Sequence, residues 1–285
     1  APRYQIQNTP KVSIIIPTKD QAHILDTALK SIFELSTWKN FEVIVVSNNS
    51  SEKSLYQLFN QYTRLHPAQF KWIACDVLFN FSLLMNEGVK HANGDFLLLL
   101  NNDIEIITPD WIEAMIEQAQ RKSVGAVGAK LLYYNGTVQH GGVVVGLGGV
   151  AGHAFVGLHR DDPGYFNYLQ CVNNFSAVTA ACLMVDKKKY LAIQGFDERF
   201  EIEFNDVDFC LRLREVGYHN VYLPQVELFH YESLTRGHPH LSKASYERHV
   251  RELNLFKKHW QHIIDDDPCY SPNLTRGSHD FALAL

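Results

Sequence analysis

Apolar residues along the first 130 positions follow two alternating periods. Short β-branched or leucine-rich runs read as buried strands: KVSIIIP (11–17), FEVIVV (41–46), a weaker KWIA (71–74), DFLLLL (95–100) and VGAVGA (124–129). Between them, apolar residues recur at helical spacing. Ile24, Leu25, Ala28, Leu29, Ile32 and Phe33 mark a helix over 23–35, and Leu55, Leu58, Phe59 and Tyr62 mark one over 52–65. A third helix is predicted from about 82 to 92, broken by Gly94, and Pro109 is placed to open a fourth. Strands alternating with helices of this length predict an α/β fold whose central sheet is mostly parallel and covered on both faces.

The second half is less regular. Residues 136–157 are glycine-rich and apolar, and 158–176 are polar. Order returns with a strand-like AACLMVD (180–186), helices over 187–193 and 206–216, and strands around 221–223 and 226–230. Tyr246, Val250, Leu253, Phe256 and Trp260 then mark one amphipathic helix over 242–262, followed by a tail without clear period. No internal repeat is visible. GLGGVA (146–151) fits a dinucleotide pattern, but no helical period follows it, and it reads as a flexible glycine-rich loop.

In open α/β sheets, ligands bind at the carboxyl ends of strands. Pro17–Asp20, Ser47–Ser50 and Asn101–Asp103 all fall at such ends. A net charge of −5 without a basic block argues against a polymeric nucleic acid as partner. A small anion remains open, held by a metal or by helix N-termini. Five cysteines without a CxxC read as small apolar residues in a reducing compartment. No apolar run is long enough to span a bilayer, and no signal peptide opens the chain. The start at Ala1 reads as that of a processed or excised segment.

Three places carry candidate chemistry. Asp103, after four leucines, is either a strand-ending turn residue or the oxygen ligand of a hard divalent cation. In FNDVDFCLRL (204–213), Asn205 can cap a helix, Asp206 and Asp208 suit its first turn, and Asp208 can pair with Arg212. A carboxylate there that faces a cleft can instead act as a general base. His230 ends an apolar strand and becomes a ligand candidate only if Asp103 is near. There is no G-x-S-x-G elbow and no P-loop.

Together these stretches resemble the GT-A fold glycosyltransferases of family 2, in the branch that builds bacterial O-antigens, rhamnans and other surface polysaccharides. The likeness is carried by VSIIIPTKDQAHILDTALKSI (12–32), FEVIVVSNNSSE (41–52), FNFSLLMNEGVKHANGDFLLLLNNDIEI (79–106), GFDERFEIEFNDVDFCLRLREVGYHNVYLP (195–224) and ELFHYESLTRG (227–237). The resemblance implies a GT-A domain over 1–240, with a nucleotide-binding half over about 10–130 and an acceptor and catalytic half over about 131–240. Residues 241–285 would form a C-terminal helix and extended tail packed on it.

The resemblance also implies roles. Asn101-Asn102-Asp103 occupies the place of a metal-binding D-x-D motif, so Asp103 would bind Mn²⁺ or Mg²⁺, with His230 as a further ligand. Asp206 would be the general base. Pro17, Thr18, Asp20, Ser47, Asn49, Asn86, Asn101 and Asn102 would line the nucleotide, while Asn205, Asp208 and Arg236 are additional candidates. The chain departs from the family at Ser47–Ser50, where relatives often carry an acidic residue, and at Asn101. The implied activity is metal-dependent, inverting transfer from a nucleotide-diphosphate sugar, dTDP-rhamnose or a UDP-sugar foremost, to a glycan or lipid-linked glycan. A catalytically silent GT-A domain is the alternative. The implied setting is the cytoplasm, with room for peripheral contact at the inner face of the bacterial membrane and for further domains in a longer chain.

Overall fold

The computed structural model describes residues 2–231 and 242–284. The first half follows the predicted alternation: β1 (Val12–Thr18), α1 (Ala22–Leu35), β2 (Phe41–Ser47), α2 (Lys53–Leu65), β3 (Phe70–Ala74), α3 (Phe81–Lys90), β4 (Phe96–Leu100), β5 (Ile104–Ile106), α4 (Trp111–Ala119) and β6 (Val124–Leu132). Three short strands and a fourth further on follow: β7 (Val138–His140), β8 (Val143–Val145), β9 (Ala151–His153) and β10 (Asn173–Phe175). The chain continues through β11 (Cys182–Asp186), α5 (Lys187–Ala192), α6 (Asn205–Glu215), β12 (His219–His230) and α7 (Lys243–Asp265). The two strands expected around 221–223 and 226–230 are one. Pro224 sits where the register of β12 against β6 shifts, between Leu223 and Glu227, and that irregularity accommodates its missing N–H.

The main sheet runs β10-β12-β6-β11-β4-β1-β2-β3, with β5 added on β12 and β7 on β6. Its β4-β1-β2-β3 portion is parallel, and β11 is antiparallel to both β4 and β6. Every residue of β1 and β2 is buried, which is why those strands read as unbroken apolar runs. One face packs against α1, α2 and α4 through Leu29, Ile32, Phe59 and Trp111. The other packs against α3, α6 and α7 through Leu84, Met85, Phe209 and Phe256. Gly88 lets α3 lie close to the sheet, since a Cβ there would sit 2.4 Å from Ile15 Cγ2.

A third apolar cluster joins Phe155, Leu169 and Tyr222 to Tyr270 and Phe281 of the tail. GLGGVA forms the turn of the β8–β9 hairpin rather than a loose loop. Contacts from the tail hold it: the Gly148 N–H donates to Arg276 O, and buried Asp267 accepts the Val145 N–H. A local pattern could not reveal those partners, which lie over a hundred residues downstream. No helix among the described residues is long and apolar enough to cross a membrane.

Candidate active site

The loops after β1 and β2 are stitched together. Pro17 and Thr18 end β1 in the interior, and Thr18 Oγ1 accepts a hydrogen bond from Asn102 Nδ2 at 3.0 Å. Asp20 lies in the left-handed region (φ 51°), and its carboxylate accepts the N–H groups of Ser51 and Glu52 at 2.7 and 2.8 Å. The Ser47 and Ser50 hydroxyls are 2.9 Å apart, and the exposed Asn49 (φ 51°) donates its side-chain amide to Val77 O. These contacts shape a rim at the ends of the parallel strands. Asn86 stands apart from it. Its oxygen accepts from Tyr190 Oη and the Phe196 N–H, and its nitrogen donates to Phe196 O and Glu198. Both ends of the amide are thereby committed to bracing α3 against the 195–198 turn, so in this conformation Asn86 has no group left for a nucleoside.

Antiparallel pairing of β5 with β12 sets His230 opposite Ile104 and so beside buried Asp103. His230 Nε2 lies 3.2 Å from Asp103 Oδ1, and Asn101 Nδ2 donates to the same ring nitrogen at 3.1 Å. Cis donors about 2.1 Å from an octahedral ion stand about 3.0 Å apart, so the spacing fits a hard divalent cation. No cluster of three or more His, Cys, Asp or Glu ligands exists among the described residues. Oxygens of a bound diphosphate or water would have to complete the shell.

Asp206 and His230 line the same cleft of about 530 Å³, together with Asn101, Thr179 and Glu203. The Asp206 carboxylate accepts N–H groups from Ala180 at 3.0 Å and Val207 at 2.8 Å, which fix its orientation at the start of α6. Asn205 is not the helix cap the sequence suggested. That position falls to Phe204, left-handed at φ 61°, while buried Asn205 turns its amide back to Ile202 O. A bulky residue in this conformation is strained and persists only where its surroundings enforce it. Here Phe204 stacks on Phe256 of α7 with ring centroids 4.9 Å apart. Asp208, two positions beyond Asp206, points away into the core. It binds Arg212 Nε at 2.8 Å and the Trp260 indole N–H at 2.9 Å. Arg236 lies outside the described residues.

Residues 13–146 match the family model described as Glycosyl transferase family 2. Those residues carry a family 2 glycosyltransferase domain. The chain is 40% identical over 99% of its length to the uncharacterized protein y4gI of Sinorhizobium fredii, covering 31% of that protein. It is 38% identical, again over 99% of its length, to the O-antigen biosynthesis protein RfbC of Myxococcus xanthus, covering 22% of it. The chain thus spans less than a third of these curated relatives. A mannosyltransferase from Pyrobaculum calidifontis, solved with GDP-Man and Mn²⁺, superposes with a TM-score of 0.63 at 16% identity, over 94% of this chain and 69% of that one. The fold is GT-A.

Sequence reasoning missed the residues that hold the site from behind. Glu252 of α7 is fully buried and accepts the N–H groups of Ile202 and Glu203, fixing the turn that leads to Asp206. Burial pushes its pKa up, against the opposing effect of those two N–H donors. The signal was an acid on the apolar stripe of α7, one turn before Phe256. His249 binds Glu203 at 2.6 Å on the same side. Gln139, against the His230 ring, left no such trace.

Proposed function

We propose that this domain is an inverting, metal-dependent glycosyltransferase, acting on a nucleotide-diphosphate sugar and a glycan or lipid-linked glycan acceptor in surface-polysaccharide synthesis. The observation that carries the proposal is that Asp206 and His230, the latter 3.2 Å from Asp103, line one cleft. The loops after β1 and β2, with Asn101 and Asn102, form the rim on which the nucleotide rests. Asp103 and His230 hold the cation, which when bound offsets the charge that develops on the leaving diphosphate.

Asp206 works from the other side. Its carboxylate takes the proton of an acceptor hydroxyl as that oxygen bonds to the anomeric carbon. The bond from that carbon to the diphosphate oxygen breaks at the same time, and the diphosphate leaves with the electron pair. Attack opposite the leaving group inverts the centre. Walls on both sides of the reacting pair supply orientation, the other large contribution to rate.

Calorimetric titration of UDP, dTDP and GDP with and without Mn²⁺, on the wild type and on Asp206→Asn, tests this. One nucleotide should bind only with metal, and Asp206→Asn should bind it equally well. The variant should lose transfer, or slow donor hydrolysis, by roughly 10²–10⁴-fold. An active Asp206→Asn removes the base assignment. Absence of binding by all three nucleotides favours a catalytically silent domain, a reading motivated by the neutral residues at Ser47–Ser50 and Asn101.

A further inference from the structure

The geometry points to Gln139 as the positioning residue of His230: it fixes the imidazole as the Nδ1–H tautomer and presents the Nε2 lone pair to Asp103. This rests on the metal reading above. The hydrogen-bond pattern itself assigns the tautomer. The Gln139 amide turns its nitrogen toward His230 O at 3.5 Å. Its carbonyl oxygen lies 2.6 Å from His230 Nδ1. Two acceptors do not meet at that distance, so Nδ1 carries a proton and donates it.

In the neutral ring the lone pair is then on Nε2. That atom accepts the Asn101 amide N–H at 3.1 Å and faces Asp103 Oδ1 at 3.2 Å. The ring nitrogen has a single lone pair, so a cation shared with Asp103 would take the place of the Asn101 N–H. The Nε2–Oδ1 pair suits a divalent cation. Ligating imidazoles commonly gain orientation and basicity from a hydrogen bond at the opposite nitrogen.

The fold places Gln139 by a local irregularity. On the β6–β7 ladder, Leu132 opposes Val138 and Leu131 opposes His140, which leaves Gln139 as the extra residue of a bulge. A bulge re-aims a side chain out of the strand's alternation. The backbone at this point is braced as well. His153 Nδ1 donates to Gln139 O at 3.0 Å, and His279 of the tail donates to His153 O at 2.6 Å.

The test uses ¹⁵N shifts of the His230 ring in metal-free protein at a pH where the ring is neutral, together with the affinity for Mn²⁺ alone by electron paramagnetic resonance. The wild type should show the Nδ1–H form. Gln139→Leu, which keeps the bulk and removes the acceptor, should lose that preference and bind Mn²⁺ roughly 10–100-fold more weakly. Gln139→Glu, which retains an acceptor oxygen, should restore both. An Nε2–H wild-type ring overturns the inference even if Gln139→Leu does not fold. So does an unchanged Mn²⁺ affinity in Gln139→Leu, or a Glu variant as weak as the Leu variant. His230→Ala separates the two levels: unchanged Mn²⁺ affinity there sinks the metal reading, whereas a loss there with none in Gln139→Leu sinks only the role of Gln139.

Discussion

The two halves of this domain use polar side chains in opposite ways. At the ends of β1, β2 and β4, Asp20, Ser47, Asn49 and Asn102 bond within and between loops, so the rim is a structure in its own right. Around the cleft, the Asp206 carboxylate is held by backbone N–H groups at the edge of open volume. In the proposed reading the first half supplies the rim and Asp103, and the second supplies the base and His230. The contrast is sharpest within α6, where Asp206 lines the cleft and Asp208, two residues on, is a structural tie between α6 and α7.

The largest effect on stability should come from that tie. Asp208→Ala leaves Arg212 and the Trp260 N–H without their buried partner, and should cost about 3–5 kcal/mol in denaturant unfolding. Asp206→Asn should unfold close to wild type. Equal losses in the two variants would erase the division between a chemical and a structural carboxylate. A smaller effect is expected in the parallel half. Gly88→Ala puts a methyl group 2.4 Å from Ile15 Cγ2 and should destabilise by about 1–3 kcal/mol. No measurable loss would mean that α3 shifts freely on the sheet.

The smallest effect is conditional on pH. Burial would raise the pKa of Glu42, but the Asn93 N–H, the Ser13 hydroxyl and Lys71 outweigh it and hold the pKa at about 2 against an ordinary 4.5. A depressed carboxyl pKa contributes stability above the unfolded-state value and loses it as pH falls through the folded-state value. Glu42→Gln should therefore be less stable than wild type at neutral pH, and the gap should close between about 4.5 and about 2. A gap independent of pH would assign the contribution of Glu42 to packing rather than charge.

How much of this was legible depended on the range of the interactions involved. Strands β1, β2 and β4 are long enough and buried enough to announce themselves. β5 and β7 to β10 span three residues each, too few for a period, and β5 and β10 form only on the distant strand β12. Asp208 with Arg212 was readable from i, i+4 spacing because the pair is local. Asp103, His230 and Asp206 were candidates from position, but only family resemblance chose their roles, since nothing local distinguishes a cleft-facing carboxylate from a helix cap. The engagement of Asn86 and the bulge that aims Gln139 depend on tertiary partners that no local window contains.

The pairing of β12 with β5 also has a kinetic consequence. Asn101 and His230 meet across 129 positions of chain, and Gln139 reaches His230 across 91. β1, β2 and β4 can assemble from a much shorter stretch, whereas the proposed cation pocket closes only once β12 has docked. Loop-closure entropy and the slow formation of distant strand pairs place that event late in folding. During refolding, capture of Mn²⁺ should consequently lag behind the burial of Trp111 against α1, so that the ion reports the arrival of the last strand rather than the collapse of the first.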